Sequence, residues 1–253
     1  MKLLVRRALT SAVVSACVLF ATLAHAAQLR VLCSNGLRAV VEELRPEFER
    51  TSGHTLSIEF NSTATLKQRI EGGESFDVAL LSTEAVDALI KAGKLTSSTR
   101  TELARSGIGV GFRKGAAKPD VHTAAALKEA MLHATSIAYT RDGASRPTVD
   151  KMFESLGIAS TLQPKIKLMP AGTPAESVAR GESEVVLTLI SEIVPVKGVE
   201  LAGPLPADFQ KYTSFAAATA IKTKNGDAGM ALIGFVRGPA AARIYKANGM
   251  EPR

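Results

Sequence analysis

Apolar and polar positions alternate between two periods along this chain. Leu29 to Cys33 is an apolar run of strand length that ends at Ser34-Asn35-Gly36. A helical period follows. Leu37, Val40, Val41, Leu44 and Phe48 share one face and predict a helix over about 37–51, with Gly53 as its C-terminal cap. Pro46 falls inside that pattern and predicts a kink or a loosened turn. A second strand is expected over 55–60, ending at Asn61-Ser62-Thr63, with a helix over 64–71 that stops at Gly72-Gly73. Phe76 to Leu81 reads as a third strand, and Thr83 is expected to cap a third helix. Continuous apolar strands alternating with helices argue an α/β fold with a parallel sheet covered by helices.

The rest of the chain repeats this grammar. SGIGVGF, residues 106–112, is a glycine-interleaved strand, and the polar stretch 114–120 is a link. Thr123 should cap a helix to His133, followed by a strand over 137–140 and a loop over 141–146. Pro147 opens a helix that Gly157 ends, and a strand is expected over 165–169. Thr173-Pro174-Ala175-Glu176 has the pattern of a capping box, and a buried strand follows over 184–190. Residues 195–206 are proline-rich and read as a second link; 212–221 reads as a returning strand. Two helices close the chain, over about 227–236 and 239–247. The chain therefore passes from one lobe to another and back: residues 27–110 with 208–253 form lobe one, and 111–207 form lobe two. Such folds take ligands in the cleft between lobes, at the carboxyl ends of strands.

The first 26 residues follow a different rule. Lys2, Arg6 and Arg7 precede an apolar stretch, and Ala24-His25-Ala26 is a small-x-small cleavage signal. This predicts an exported, periplasmic protein cut before Ala27. Val14-Ser15-Ala16-Cys17 also has the form of a lipoprotein box, but its apolar segment is short and continues past Cys17. The formal charge of +7 falls to +4 without those three basic residues. The remaining basic residues are scattered and aromatics are few, which argues against a nucleic-acid surface and suits a small anionic ligand. Cys33 is then the one remaining cysteine, so neither an internal disulfide nor a cysteine-based metal site is expected. No metal or cofactor is expected.

Candidate chemistry gathers at the strand ends. Two adjacent strands each end in small hydroxyl or amide residues that open a helix, where unpaired N–H groups and the helix dipole favour an anion. Ser34, Asn35, Gly36 and Thr63 are the candidates there, with plain helix capping as the alternative reading. Arg38 stands in the first turn of the first helix, and Arg141 and Arg146 in a loop expected to line the cleft; guanidinium groups bind carboxylates bidentately. Lys67 and Arg69 read as an exposed helix face. The histidines have no metal-ligand spacing, and neither a Ser-His-Asp set nor a phosphate loop is visible. Asp142, Glu192 and Cys33 are the groups in cleft loops that could move a proton, without a motif to single one out.

Three segments carry a family resemblance: the opening strand-helix unit, FNSTATLKQRIEGGESFDVALL, and ALIGFVRGPAAARIYKANGMEP at the end. In these the mature chain resembles the periplasmic molybdate-binding proteins of ABC importers, a branch of the two-lobed, type II solute-binding proteins. The resemblance implies two mostly parallel sheets flanked by helices and a ligand cleft between lobes. It further implies a monomer that captures a small anion and delivers it to a membrane permease. The family's two oxyanion-holding hydroxyl positions fall on Ser34 or Asn35 and on Thr63, which stands where serine is usual. Second-lobe backbone amides fall near Thr140 to Ser145. The family's tyrosine position falls on Leu189, its Ala-Ser-Leu loop is Ser34-Asn35-Gly36 here, and its acidic-small-Gly pattern is Glu184-Val185-Val186. These departures, with the arginines, favour an organic polycarboxylate over molybdate. The resemblance also reaches periplasmic aconitate isomerases, so an enzyme on the same scaffold is the alternative.

Overall fold

The computed structural model describes residues 26–253; the expected leader lies outside the described residues apart from Ala26. The first part alternates as the periodicity predicts: β1 (Gln28–Ser34), a 3-10 turn (Asn35–Leu37), α1 (Arg38–Ser52), β2 (Thr55–Asn61), α2 (Thr63–Glu71), β3 (Val78–Ser82), α3 (Thr83–Lys91) and the long β4 (Thr101–Arg113). There follow α4 (Ala124–His133), β5 (Ile137–Thr140), α5 (Arg146–Ser155), α6 (Ala159–Leu162), β6 (Ile166–Met169), α7 (Pro174–Ala179), β7 (Val185–Leu189), α8 (Ile190–Ile193) and β8 (Val199–Pro204). The return consists of β9 (Tyr212–Thr219), α9 (Gly226–Arg237), α10 (Pro239–Ala247) and β10 (Glu251–Pro252).

The strands run in the order β2-β1-β3-β9-β4-β7-β5-β6. Each outer trio is parallel: β2, β1 and β3 at one end, β7, β5 and β6 at the other. Antiparallel β9 and β4 join them. Strand β4 belongs to both lobes. Its residues up to Gly107 pair with β9, and from Ile108 onward it pairs with β7 and β8. At that hand-over the Gln210 side chain acts as a short length of strand. Ile108 N–H donates to Gln210 Oε1 at 2.9 Å, and Gln210 Nε2 donates to the Ile108 carbonyl at 2.9 Å.

Burial on both faces explains the continuous apolar strands. Leu29, Val31 and Cys33 of β1 pack with Val40, Val41, Leu44 and Phe48 of α1. Leu32 turns to the other face, against Leu66 and Ile70 of α2 and Val86 and Leu89 of α3.

Four local expectations need correction. Helix α1 runs unbroken through Pro46, which is exposed, so the carbonyl deprived of its partner can meet water. Ser82 rather than Thr83 caps α3: it ends β3 in an extended conformation, and its hydroxyl accepts from Ala85 N–H at 3.4 Å. Thr173 does not complete a capping box, because its hydroxyl donates to the Pro170 carbonyl at 2.9 Å. The stretch 195–206 is more than a link, since its centre forms β8 and pairs with β4. Pro195 precedes the strand and Pro204 is its last residue, opposite Gly109 of β4, where a missing N–H costs least.

Candidate functional site

Five strand ends from the two lobes converge on one narrow cavity of about 20 Å³. Lobe one contributes Ser34, Asn35 and Gly36 after β1, and Ser62 and Thr63 after β2. Lobe two contributes Thr140, Gly143, Ala144 and Ser145 after β5, Ala171 after β6, and Leu189 and Glu192 around the end of β7. That space holds one or two water-sized molecules. An organic acid enters only if the lobes part. A cavity of about 710 Å³ lies elsewhere on lobe two, lined by Ser136, Glu184 and Val185 among others. Those residues sit at the amino ends of β5 and β7. The small cavity sits at the carboxyl ends, where the open ends of parallel strands and the helix starts face a ligand.

The lobe-one donors are arranged by how each strand ends. Ser34 leaves β1 extended at φ −60 and ψ 138, and its side chain does not cap the 3-10 turn that follows. It is buried at 6 % exposure and lines the cavity. Asn35, equally buried, is held by Arg38: Nη2 and Nε donate to Asn35 Oδ1 at 3.0 and 3.3 Å. Two guanidinium donors on the oxygen settle the amide's orientation. Asn35 Nδ2 is thereby left without a hydrogen-bond partner among the described residues. A buried donor without an acceptor is costly, and it marks where a ligand oxygen belongs. Gly36 is required by packing, since a Cβ there would lie 2.6 Å from Phe215 Cζ and 3.0 Å from Leu189 Cδ1.

At the second junction Ser62 is the cap, one residue before the expected Thr63. Its Oγ accepts from Thr65 N–H at 3.1 Å. Thr63 is the first residue of α2, half-buried, and its Oγ1 accepts from Ser82 N–H at 3.3 Å. Asp142 of lobe two reaches this helix start. Ser62 Oγ donates to its Oδ2 at 2.8 Å and Thr65 Oγ1 at 3.1 Å. The lobe-two loop turns sharply here: a Cβ on Gly143 would come within 2.8 Å of Thr140 Cβ. Thr140 and Ser145 are buried, and Ser145 makes no side-chain cap to α5.

Six of the nine residues singled out from sequence thus share the cavity wall: Ser34, Asn35, Gly36, Thr63, Thr140 and Ser145. The three arginines do not line it. Arg38 is exposed and lies over the Phe60 ring at 4.3 Å, acting on the cavity through Asn35. Arg141 is exposed. Arg146 donates to the Arg141 carbonyl and, at 3.2 Å, to Asp150. The sequence does not single out Ser62 or Ala171, and it reaches Gly143 and Ala144 only as part of the loop near Thr140 to Ser145. The Asn-Ser-Thr run contained the signal for Ser62, because a cap belongs at the last extended residue.

Of the proton-moving candidates, Glu192 alone lines the cavity. It is half-buried at the end of α8, and Thr188 Oγ1 donates to its carboxylate. Desolvation pushes its carboxyl above the ordinary value of 4.5, while the Thr188 hydroxyl, the Leu189 backbone and the Arg38 charge pull it back. Cys33 is wholly buried below the cavity, and burial pushes its thiol up, so it is inert as a nucleophile.

Comparison with known proteins gives the family and the fold. The family model described as bacterial extracellular solute-binding protein matches residues 29–251. An aconitate isomerase from Pseudomonas sp is 29% identical over 230 residues, covering 88% of this chain and 87% of that protein. The molybdate-binding protein ModA of Azotobacter vinelandii is 25% identical over 239 residues, 91% of this chain and 92% of that one. In three dimensions the periplasmic molybdate-binding protein of Azotobacter vinelandii superposes with a TM-score of 0.73, at 18% identity, over 88% of this chain and 98% of that chain. L-phospholactate-bound PEB3 superposes with a TM-score of 0.64 at 13% identity, over 89% of this chain and 100% of that chain. The structural likenesses are likenesses of fold.

Proposed function

Because the chain belongs to the family of bacterial extracellular solute-binding proteins, we propose that it captures a small organic polycarboxylate in the cleft between its lobes. The carrying observation is the unpartnered Asn35 Nδ2 in a wall of hydroxyls and helix starts. A carboxylate oxygen satisfies that donor while the Ser34 and Thr63 hydroxyls take the others. On this reading the protein works as a monomer in the periplasm after removal of residues 1–26, and hands its ligand to a membrane permease of an ABC importer. Residues 27–110 with 208–253 close on 111–207 about β4 and the Gln210 clasp. Glu192 supports a carboxylic ligand over molybdate: an acid in the wall repels a compact dianion when ionised, and can share a proton with a carboxylate. A thermal-shift panel of molybdate, sulfate, citrate and both aconitate isomers tests this. Saturating the true ligand at about 100 times its Kd stabilises by about 2.7 kcal/mol. A shift with molybdate alone would overturn the polycarboxylate assignment.

A second reading is favoured by the same acid. The aconitate isomerase relative matches over 88% of this chain and 87% of its own length, and Glu192 is an acid lining the cleft. Here the protein interconverts cis- and trans-aconitate instead of only holding one. Mixing purified protein with trans-aconitate and resolving the isomers by chromatography separates an enzyme from a binder.

A further inference from the structure

We propose, resting on the isomerase reading, that Glu192 is the single group that moves protons in this cleft, taking one from one carbon of the bound tricarboxylate and giving one to another. The geometry limits the candidates. Among the acids that sequence placed in cleft loops, Asp142 is committed to Ser62 and Thr65 at the rim. Cys33, within β1, is fully buried and does not line the cavity. Glu192 lines the cavity together with Asn35, Ser34 and Thr140.

The step balances without a further reagent. The Glu192 carboxylate removes a proton from the methylene carbon of aconitate. The C–H electron pair spreads over the three-carbon allyl unit and into the adjoining carboxylate. The protonated Glu192 trades its proton with solvent and gives one to the former vinylic carbon, the double bond moves by one position, and the carboxylate is restored. Rotation about the partly double bond in the delocalised anion sets whether the cis or the trans isomer leaves. Asn35 Nδ2 is the unpaired donor available to the carboxylate oxygen on which negative charge builds.

Two features tune Glu192 for this work. Desolvation raises its basicity toward the working pH, which suits a general base. The Thr188 hydroxyl donates to it and fixes its rotamer. The one charged group pulling against the desolvation is Arg38, whose guanidinium is itself held on Asn35 Oδ1.

The test follows solvent exchange. The mature protein is incubated with trans-aconitate in heavy water and loss of the methylene proton signal is read by NMR. The wild type is expected to exchange that position, and Glu192→Gln to slow exchange by at least about a hundredfold. Thr188→Val is expected to keep exchange but move its pH midpoint upward, because it removes a donor that favours the carboxylate. A purely structural role for Thr188 would leave that midpoint in place. Exchange in folded Glu192→Gln within about threefold of wild type would overturn the proposal. So would a wild type that is thermally stabilised by trans-aconitate yet exchanges nothing. If Glu192→Gln does not fold, an unmoved midpoint in Thr188→Val is sufficient to overturn it. A wild type that no polycarboxylate stabilises would remove the binding reading itself, and this proposal with it.

Discussion

Asp142 of lobe two accepts a hydrogen bond from Ser62 Oγ of lobe one at 2.8 Å. Thr65 Oγ1 donates to the same carboxylate oxygen at 3.1 Å. An anion from one lobe therefore sits on the amino end of a helix in the other, where the dipole favours it. Asp142 thus bridges the two lobes at the rim of the cavity. Asp142→Ala should loosen the ligand-free closed form, since it removes both bonds, each worth roughly 0.5–1.5 kcal/mol. Small-angle scattering without ligand is expected to give a larger radius of gyration for the variant. Identical scattering curves would show that the bridge does not hold the lobes.

The two strand-end serines should behave differently when truncated. Ser62 caps α2 through Thr65 N–H, and Ser34 caps nothing. Ser62→Ala is expected to lower stability by about 1 kcal/mol as a lost cap, and to weaken ligand binding as well. Ser34→Ala should weaken binding by up to about tenfold, the equivalent of one hydrogen bond, with little change in Tm. Calorimetric titration beside thermal melts distinguishes them; equal losses of Tm in both variants would make Ser34 a structural residue.

Much of this site was legible because strand ends are readable. The apolar run of β1 and the hydroxyl-rich ends of β1 and β2 point to Ser34, Asn35 and Thr63, which stand on the cavity wall. The arginines misled because sequence gives the loop but not the rotamer. Asp150 and a carbonyl hold Arg146, and Asn35 with the Phe60 ring holds Arg38. Glu192 could be named from sequence only as one of three groups. What distinguishes it is burial beside a cavity formed by residues from β1 and β2, far away in the chain. Strand β8 was hidden by flanking prolines, and its pairing with β4 is a long-range fact that no local pattern encodes.

Gly36 offers a test of how closely the lobes meet. A methyl group there would press on Phe215 of lobe one and Leu189 of lobe two. Gly36→Ala is expected to destabilise the closed form by about 1–3 kcal/mol through overpacking, and to weaken ligand binding because closure is obstructed. Urea unfolding and a ligand titration measure the two effects. Unchanged affinity in this variant would show that closure about the ligand does not bring Leu189 onto Gly36.

The pH dependence of stability isolates Glu192. Its folded-state carboxyl titrates above the ordinary 4.5 because desolvation penalises the charge. A raised carboxyl contributes stability in full below the unfolded value, where both states hold the proton. As pH climbs past about 4.5 the unfolded chain releases its proton first. The folded state then holds more protons, and stability falls until the folded carboxyl also ionises. Glutamine has no proton to lose and keeps an oxygen for the Thr188 hydroxyl. Glu192→Gln should therefore match the wild type near about pH 4 and exceed it at about pH 7.5, by about one to a few degrees in Tm. Parallel melts of the two proteins across that range cancel every other titrating group, including the surface carboxylates that arginines hold below their usual range. A difference that is flat with pH, or of the opposite sign, would mean that Glu192 ionises in the folded cleft as readily as in the unfolded chain.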